Sequence, residues 1–143
     1  GESVGCAESL TGGALAEALS ATPGASATFA GGLVTYATRL KVDLLGVAAD
    51  VVAEHGVVSG PCAEAMATAA RDLLGVDWAL STTGVAGPER QEGQPVGRVH
   101  LGLAGPDGVR SVRLDLAGTR GAIRSACVDH ALALLLAHLT TPR

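Results

Sequence analysis

Two hydrophobic rhythms follow one another along this chain, short apolar runs and broader helical stripes, and together they mark out its elements. Residues 3–7 read as a short strand, and residues 11–20 as a helix whose start is marked by Ser9, Thr11 and the Gly12-Gly13 pair. After turn chemistry at residues 22–26, residues 31–36 have the apolar, β-branched look of a second strand, with Tyr36 at its exit. Short helical pieces are predicted around residues 39–45 and 48–55, then a longer helix over residues 61–74. Pro61 suits the first turn of that helix and Gly75 its C-terminal cap, with Ser59 or Gly60 capping the start.

Residues 78–82 read as a buried strand, followed by a polar, Gly/Pro-rich loop over residues 83–95 that is long for so short a chain. Residues 96–104 and 109–116 flank the turn Gly105-Pro106-Asp107-Gly108 and predict a β-hairpin. Residues 119–139 carry Ile123, Ala126, Cys127, Leu132, Leu135, Leu136 and Leu139 as one broad helical stripe. The order predicts a single α/β domain spanning residues 1–143, a mixed β-sheet with helices packed on its faces in three α/β/α layers. No internal repeat or low-complexity segment interrupts it.

Composition narrows the picture. Of 143 residues, 48% are apolar, yet Phe, Trp and Tyr occur once each, so the core must be packed from Ala, Val and Leu. A net charge of -4 and the lack of any Lys/Arg run exclude the electrostatic footprint of a nucleic-acid binder. Three cysteines, Cys6, Cys62 and Cys127, at unrelated spacings fit neither a disulfide framework nor a zinc site, and a reducing, cytoplasmic setting is expected. The four histidines lack ligand spacing with one another or with the cysteines, so no metal is expected. The longest apolar stretch, residues 131–139 broken only by His138, falls short of the about 20 residues a bilayer requires, so no membrane span is expected. The chain begins at Gly1 without Met and its first strand starts at once, so a trimmed or omitted upstream segment is expected.

Nine of the ten basic residues are Arg, and Lys41 is the single Lys. Arginine stays protonated, whereas a lysine amine turns neutral when buried or beside another cation and then serves as a base. Lys41 is therefore a candidate base, the alternative being one surface lysine surviving in a biased composition. Ser9, between a strand and a helix, suits a nucleophile whose oxyanion is held by unpaired helix N–H groups; the alternative is a plain helix cap. Gly12 and Gly13 either let a phosphate approach the backbone or only permit tight packing. Neither P-loop nor Rossmann glycine spacing occurs. Tyr36, the only tyrosine, reads as a phenol bonding into a cleft or as an ordinary rim residue. The Thr83-Gly84-Val85-Ala86-Gly87-Pro88 segment leaves a strand end, where α/β folds bind ligands, or is a structural turn.

Five motifs in order resemble the CinA C-terminal domain, the family of nicotinamide mononucleotide deamidases. Ala7-Glu8-Ser9-Leu10-Thr11-Gly12-Gly13 resembles its A-E-S-C-T-G-G, and Phe29-Ala30-Gly31-Gly32-Leu33-Val34-Thr35-Tyr36 its F-x-G-G-x-V-T-Y, with Lys41 at the expected distance beyond. His55-Gly56-Val57-Val58-Ser59 resembles H-G-A-V-S, and Thr83 to Pro88 with Pro95-Val96-Gly97 resembles T-G-I-A-G-P and P-V-G. The resemblance implies hydrolysis of the nicotinamide mononucleotide carboxamide to the acid and ammonia, with no metal or organic cofactor. It implies Ser9 as nucleophile, Lys41 as base, and Tyr36 and Thr83 as hydrogen-bonding partners. Thr11, Gly12 and Arg120 are candidates for binding the substrate, since they can offer donors to a phosphate.

The chain departs from the family pattern at Leu10, usually Cys, and at Thr38, often Asn. It also departs at Glu89-Arg90-Gln91, where G-P is usually followed by D-G-G. The readings are a Ser-Lys amidohydrolase of pyridine nucleotide salvage, a related amidohydrolase of other specificity, or an inactive nucleotide- or partner-binding module. The partner expected is a small-molecule nucleotide, and homo-oligomerisation follows only from the family likeness.

Overall fold

The computed structural model describes residues 1–142. Five strands form one sheet: β1 (Val4–Glu8), β2 (Phe29–Val34), β3 (Trp78–Gly84), β4 (Arg98–Gly105) and β5 (Gly108–Asp115). Their order is β2-β1-β3-β4-β5, with β1 parallel to both β2 and β3, and β3-β4 and β4-β5 antiparallel. Central β1 and β3 read as nearly unbroken small or apolar runs because both of their faces are covered.

Five helices cover those faces: α1 (Ala14–Ser20), α2 (Thr38–Asp43), α3 (Ala49–His55), α4 (Gly60–Leu74) and α5 (Arg120–Leu139). Cys6, Leu80, Leu101 and Leu103 pack with Leu15 of α1 and with Ile123, Cys127, Ala131 and Leu135 of α5. On the other face, Ala7, Ala79, Val57 and Val58 pack with Cys62, Met66 and Ala70 of α4. The period-2 alternation of the strands thus feeds two separate cores, and the domain has the expected three layers. Small residues set the close spacing: a Cβ at Gly102 of β4 would run into Ala63 O of α4 and Ser81 Oγ of β3.

Most elements lie where the pattern placed them, with shifts that have physical causes. Helix α1 starts at Ala14 rather than residue 11, because Gly12 (φ 57°) and Gly13 (φ 107°) adopt left-handed backbone that a right-handed helix excludes. Strand β1 reaches Glu8, whose neighbours in the ladder are Val34 and Thr82. Strand β2 begins at Phe29 and ends at Val34, so Tyr36 lies two residues past it. Strand β3 continues to Gly84 because Thr83 and Gly84 pair with His100 and Val99. Ser59, not Gly60, caps α4, its Oγ accepting from Cys62 N at 3.2 Å. The three cysteines are free and buried, and burial pushes the Cys6 and Cys127 thiols up to about 12 and Cys62 to about 11.

The last helix is longer and more apolar than residues 131–139 alone suggest. Helix α5 has 20 residues and a mean hydropathy of 1.3 over its most apolar 18, enough by length and composition to cross a bilayer. The apolar stretch is shorter in sequence because Arg124, Asp129 and His130 interrupt it; Asp129 and His130 are exposed and Arg124 is half-buried. Here its Ile123–Leu135 stripe packs on the sheet as a core helix does.

Candidate active site

The site forms where the parallel strands β1 and β2 end. Ser9 follows β1 directly, and its N–H donates to Thr82 O at 3.0 Å, which continues the β1-β3 ladder one step past the strand. The chain then turns sharply, closed by Gly12 N donating to Ser9 O at 3.1 Å. That turn leaves the N–H groups of Leu10 and Thr11 outside its own hydrogen bond.

Lys41, in the last turn of α2, is 1% exposed. Its Nζ lies 2.9 Å from Ser9 Oγ, 2.7 Å from Thr35 O and 3.3 Å from Tyr36 O. Carbonyl oxygens only accept, so two of these contacts always take an N–H of the amine. In the neutral form the two N–H bonds engage the two carbonyls and leave the lone pair to accept from the Ser9 hydroxyl. Burial lowers the Lys41 pKa from its ordinary 10.5, opposed in part by Cys62 and Glu92, which favour the charged form. Geometry and desolvation therefore both suit a lysine base, and the single-lysine hint in the composition falls on the residue that contacts Ser9.

A cleft of about 260 Å³ opens beside Ser9, lined by Leu10, Tyr36, the Gly84 to Gly87 backbone, Glu89, Arg90, Gln91 and Arg120. Tyr36 is 55% exposed on its rim. Arg120, the first residue of α5, donates through Nη1 to Gly87 O at 2.6 Å and through Nη2 to Tyr36 Oη at 3.0 Å. Ser9, Tyr36, Lys41 and Arg120, scattered between positions 9 and 120 of the sequence, thus converge on one site.

Three candidates take other roles. Thr11 is fully buried; its hydroxyl donates to Glu8 Oε1 at 2.6 Å and meets Thr82 Oγ1 at 2.8 Å, so that hydroxyl is committed within the protein. Gly12 gives its N–H to Ser9 O and has Arg124 beside it, so its backbone is committed to the turn and not to a phosphate. Thr83 shares a sheet face with Ala79 and Ser81, but it is 1% exposed, lies outside the cleft lining, and donates its hydroxyl to Val57 O at 2.6 Å. It ties β3 to the connection between α3 and α4. The helix N–H groups expected to serve Ser9 are also occupied: Glu8 accepts from Leu15 N at 2.8 Å and Ala16 N at 3.0 Å.

Sequence reasoning missed four residues that hold the site. Glu8, 0% exposed, caps α1 from within β1. Thr82 braces the Ser9 turn through both its carbonyl and its hydroxyl. Arg124 of α5 clamps the same turn, Nε to Leu10 O at 2.9 Å and Nη2 to Thr11 O at 3.1 Å. Glu92 accepts from Val58 N at 2.8 Å and Val57 N at 3.1 Å, fastening the cleft-lining loop. The one available signal was Glu8, a charge directly after a short apolar strand, which is buried only when its partners are supplied.

Fold and site together define a three-layer α/β domain that carries a serine-lysine pair where its parallel strands end. The CinA C-terminal domain model matches residues 1–139, and the chain belongs to that family. A CinA-like protein of Frankia casuarinae is 53% identical over 131 residues, covering 90% of this chain and 30% of that relative. A CinA-like protein of Gloeobacter violaceus is 49% identical over 138 residues, covering 94% and 32%. The chain therefore spans about a third of the length of these curated relatives. Among solved structures, competence damage-inducible protein A of Klebsiella pneumoniae aligns with a TM-score of 0.96 at 34% identity, covering 100% of this chain and 89% of that one. A competence/damage inducible protein of Agrobacterium tumefaciens gives 0.91 at 38% identity, covering 96% and 85%.

Proposed function

We propose that this chain is an amidohydrolase that converts nicotinamide mononucleotide to nicotinic acid mononucleotide and ammonia. The observation that carries the reading is the 2.9 Å contact between Lys41 Nζ, buried, and Ser9 Oγ, open to a cleft. An amide is a poor electrophile, so its hydrolysis calls for an activated hydroxyl and a site for the developing oxyanion.

In this reading neutral Lys41 takes the Ser9 proton as Oγ attacks the carboxamide carbon. The N–H groups of Leu10 and Thr11, left outside the turn, are the donors nearest in sequence to the nucleophile and suit the oxyanion. Protonated Lys41 returns the proton to the amide nitrogen, the C–N bond breaks, and ammonia departs from an ester on Ser9. Lys41 then takes a proton from water as the water oxygen attacks the ester carbon, and returns that proton to Ser9 Oγ as the C–O bond breaks; the acid released loses its proton to solvent as the carboxylate. Arg120 and Tyr36 on the rim hold the rest of the nucleotide. Because the chain matches only part of its relatives, this activity is proposed for the domain alone.

The test is ammonia release from nicotinamide mononucleotide by the purified protein, beside its Ser9→Ala variant. Release that requires Ser9 supports the reading. Equal release by the variant removes Ser9 from the nucleophile's role, and no release by the parent protein sinks the activity itself.

A further inference from the structure

Two guanidinium groups line the Ser9 cleft, and the reading above uses one of them. Arg120 is held by uncharged acceptors only, Gly87 O and Tyr36 Oη. Arg90 makes a single hydrogen bond, Nη2 to Gly93 O at 2.9 Å, also uncharged. Among the described residues the ion pairs are His55–Glu54, Arg98–Asp115 and Arg113–Asp115, so both cleft arginines keep their charge unpaired. Glu89 is the only acidic residue of the lining, which leaves one net positive charge in the cleft. Arg120 grips Gly87, three residues before Arg90, so both cations attach to the same stretch of loop.

That stretch is braced. Gln94 N donates to Gln91 O at 2.8 Å and Gln91 N to Gln94 O at 3.4 Å, closing the turn just past Arg90. The Glu92 carboxylate fastens the turn to Val57 N and Val58 N, and Gly97 N donates to Val85 O at 2.7 Å across the loop's base. A cation carried on a braced turn loses little freedom when it meets a ligand. Paired guanidiniums match a phosphate dianion in charge and in their forked donors.

We propose that Arg90 is a second anion-binding residue of this cleft, joining Arg120 on the phosphate of a nucleotide ligand and thereby selecting the nucleotide over its nucleoside. The inference rests on the nucleotide specificity proposed above and assigns part of it to a loop residue.

Calorimetric binding to the Ser9→Ala protein separates this from turnover, with nicotinamide mononucleotide, nicotinamide riboside and inorganic phosphate as probes. Arg90→Gln, at an exposed position, is expected to weaken the mononucleotide about tenfold, weaken inorganic phosphate as well, and leave the riboside unchanged. Unchanged affinity for the mononucleotide overturns the proposal. So does an equal loss for mononucleotide and riboside, which would make Arg90 a support of the loop, and so does a parent protein that binds the two alike. Ammonia release is scored separately: its absence with Arg90-dependent phosphate binding intact fails the deamidase reading and supports this one, while release indifferent to Arg90 does the reverse.

Discussion

Lys41 Nζ donates to Thr35 O at 2.7 Å, the shortest of its three contacts, and Thr35 is itself locked to β1 through its N–H on Glu8 O at 2.8 Å. The base is therefore aimed by backbone just past β2, tied to the strand β1 that delivers Ser9, and α2 supplies only the stem. Because both partners hang from one strand pair, the geometry exists before substrate arrives, which is the condition for an efficient proton transfer.

Replacing the amine tests that arrangement. Lys41→Met keeps the length of the side chain and is expected to lower kcat by about a thousandfold or more, read as ammonia release. Lys41→Arg is expected to be equally inactive, since a guanidinium stays protonated. Its added volume at a site 1% exposed costs about 1–3 kcal/mol of stability, measured by denaturant unfolding. Turnover within tenfold of the parent in either variant would take the base role from Lys41.

Only the neutral amine accepts the Ser9 proton, so kcat/KM should rise with pH along a limb centred on the Lys41 pKa. Burial holds that midpoint below 10.5, and Glu92 pulls it back upward, so Glu92→Gln should move the limb to lower pH. The same depression enters stability with a definite sign: the unfolded lysine binds a proton that the buried one resists. Stability from this group is full above 10.5 and is lost as pH falls through the folded value. A midpoint that ignores Glu92 would show that the two groups are not coupled.

Glu8→Gln replaces one acceptor oxygen by a donor opposite Leu15 N or Ala16 N. Stability should fall by about 1–3 kcal/mol in denaturant, and kcat should fall with it as the turn carrying Ser9 loosens. An unfolding midpoint equal to the parent's would mean that α1 finds another cap.

Thr83→Val removes the hydroxyl from Val57 O in a site with no water access. The expected loss is about 1–3 kcal/mol, with Thr83→Ser restoring most of it. Parent-like stability of the valine variant would show that the bond from Thr83 to the α3–α4 connection contributes nothing.

How much of this was legible in the sequence differs from residue to residue. Ser9, Tyr36, Lys41 and Arg120 were singled out and converge. Thr11 and Thr83 were singled out, yet their hydroxyls donate to Glu8 and to Val57 O, because motif membership does not say which way a hydroxyl donates. The expectation that helix N–H groups would serve Ser9 failed at Gly12 and Gly13, whose left-handed backbone delays α1 by three residues, from position 11 to position 14. Glu92 sits in the loop whose departures at Glu89-Arg90-Gln91 had drawn notice, yet its hold on Val57 and Val58 has no local signature.

The sequence by itself determined the order of strands and helices, a turn at residues 105–108 between two hairpin strands, the cap at Gly75 and one at Ser59 or Gly60, and the singularity of Lys41. These are matters of periodicity, local turn chemistry and composition, each contained within a few residues or a simple count. Only the tertiary structure decided that Lys41 reaches Ser9 across 32 positions, and that Arg124 clamps the Ser9 turn from more than 110 positions away. It also decided that Thr82, and not Thr83, braces that turn. The reason is physical: sheet register and helix docking set which side chains meet, and a one-residue change in register turns every side chain to the other face.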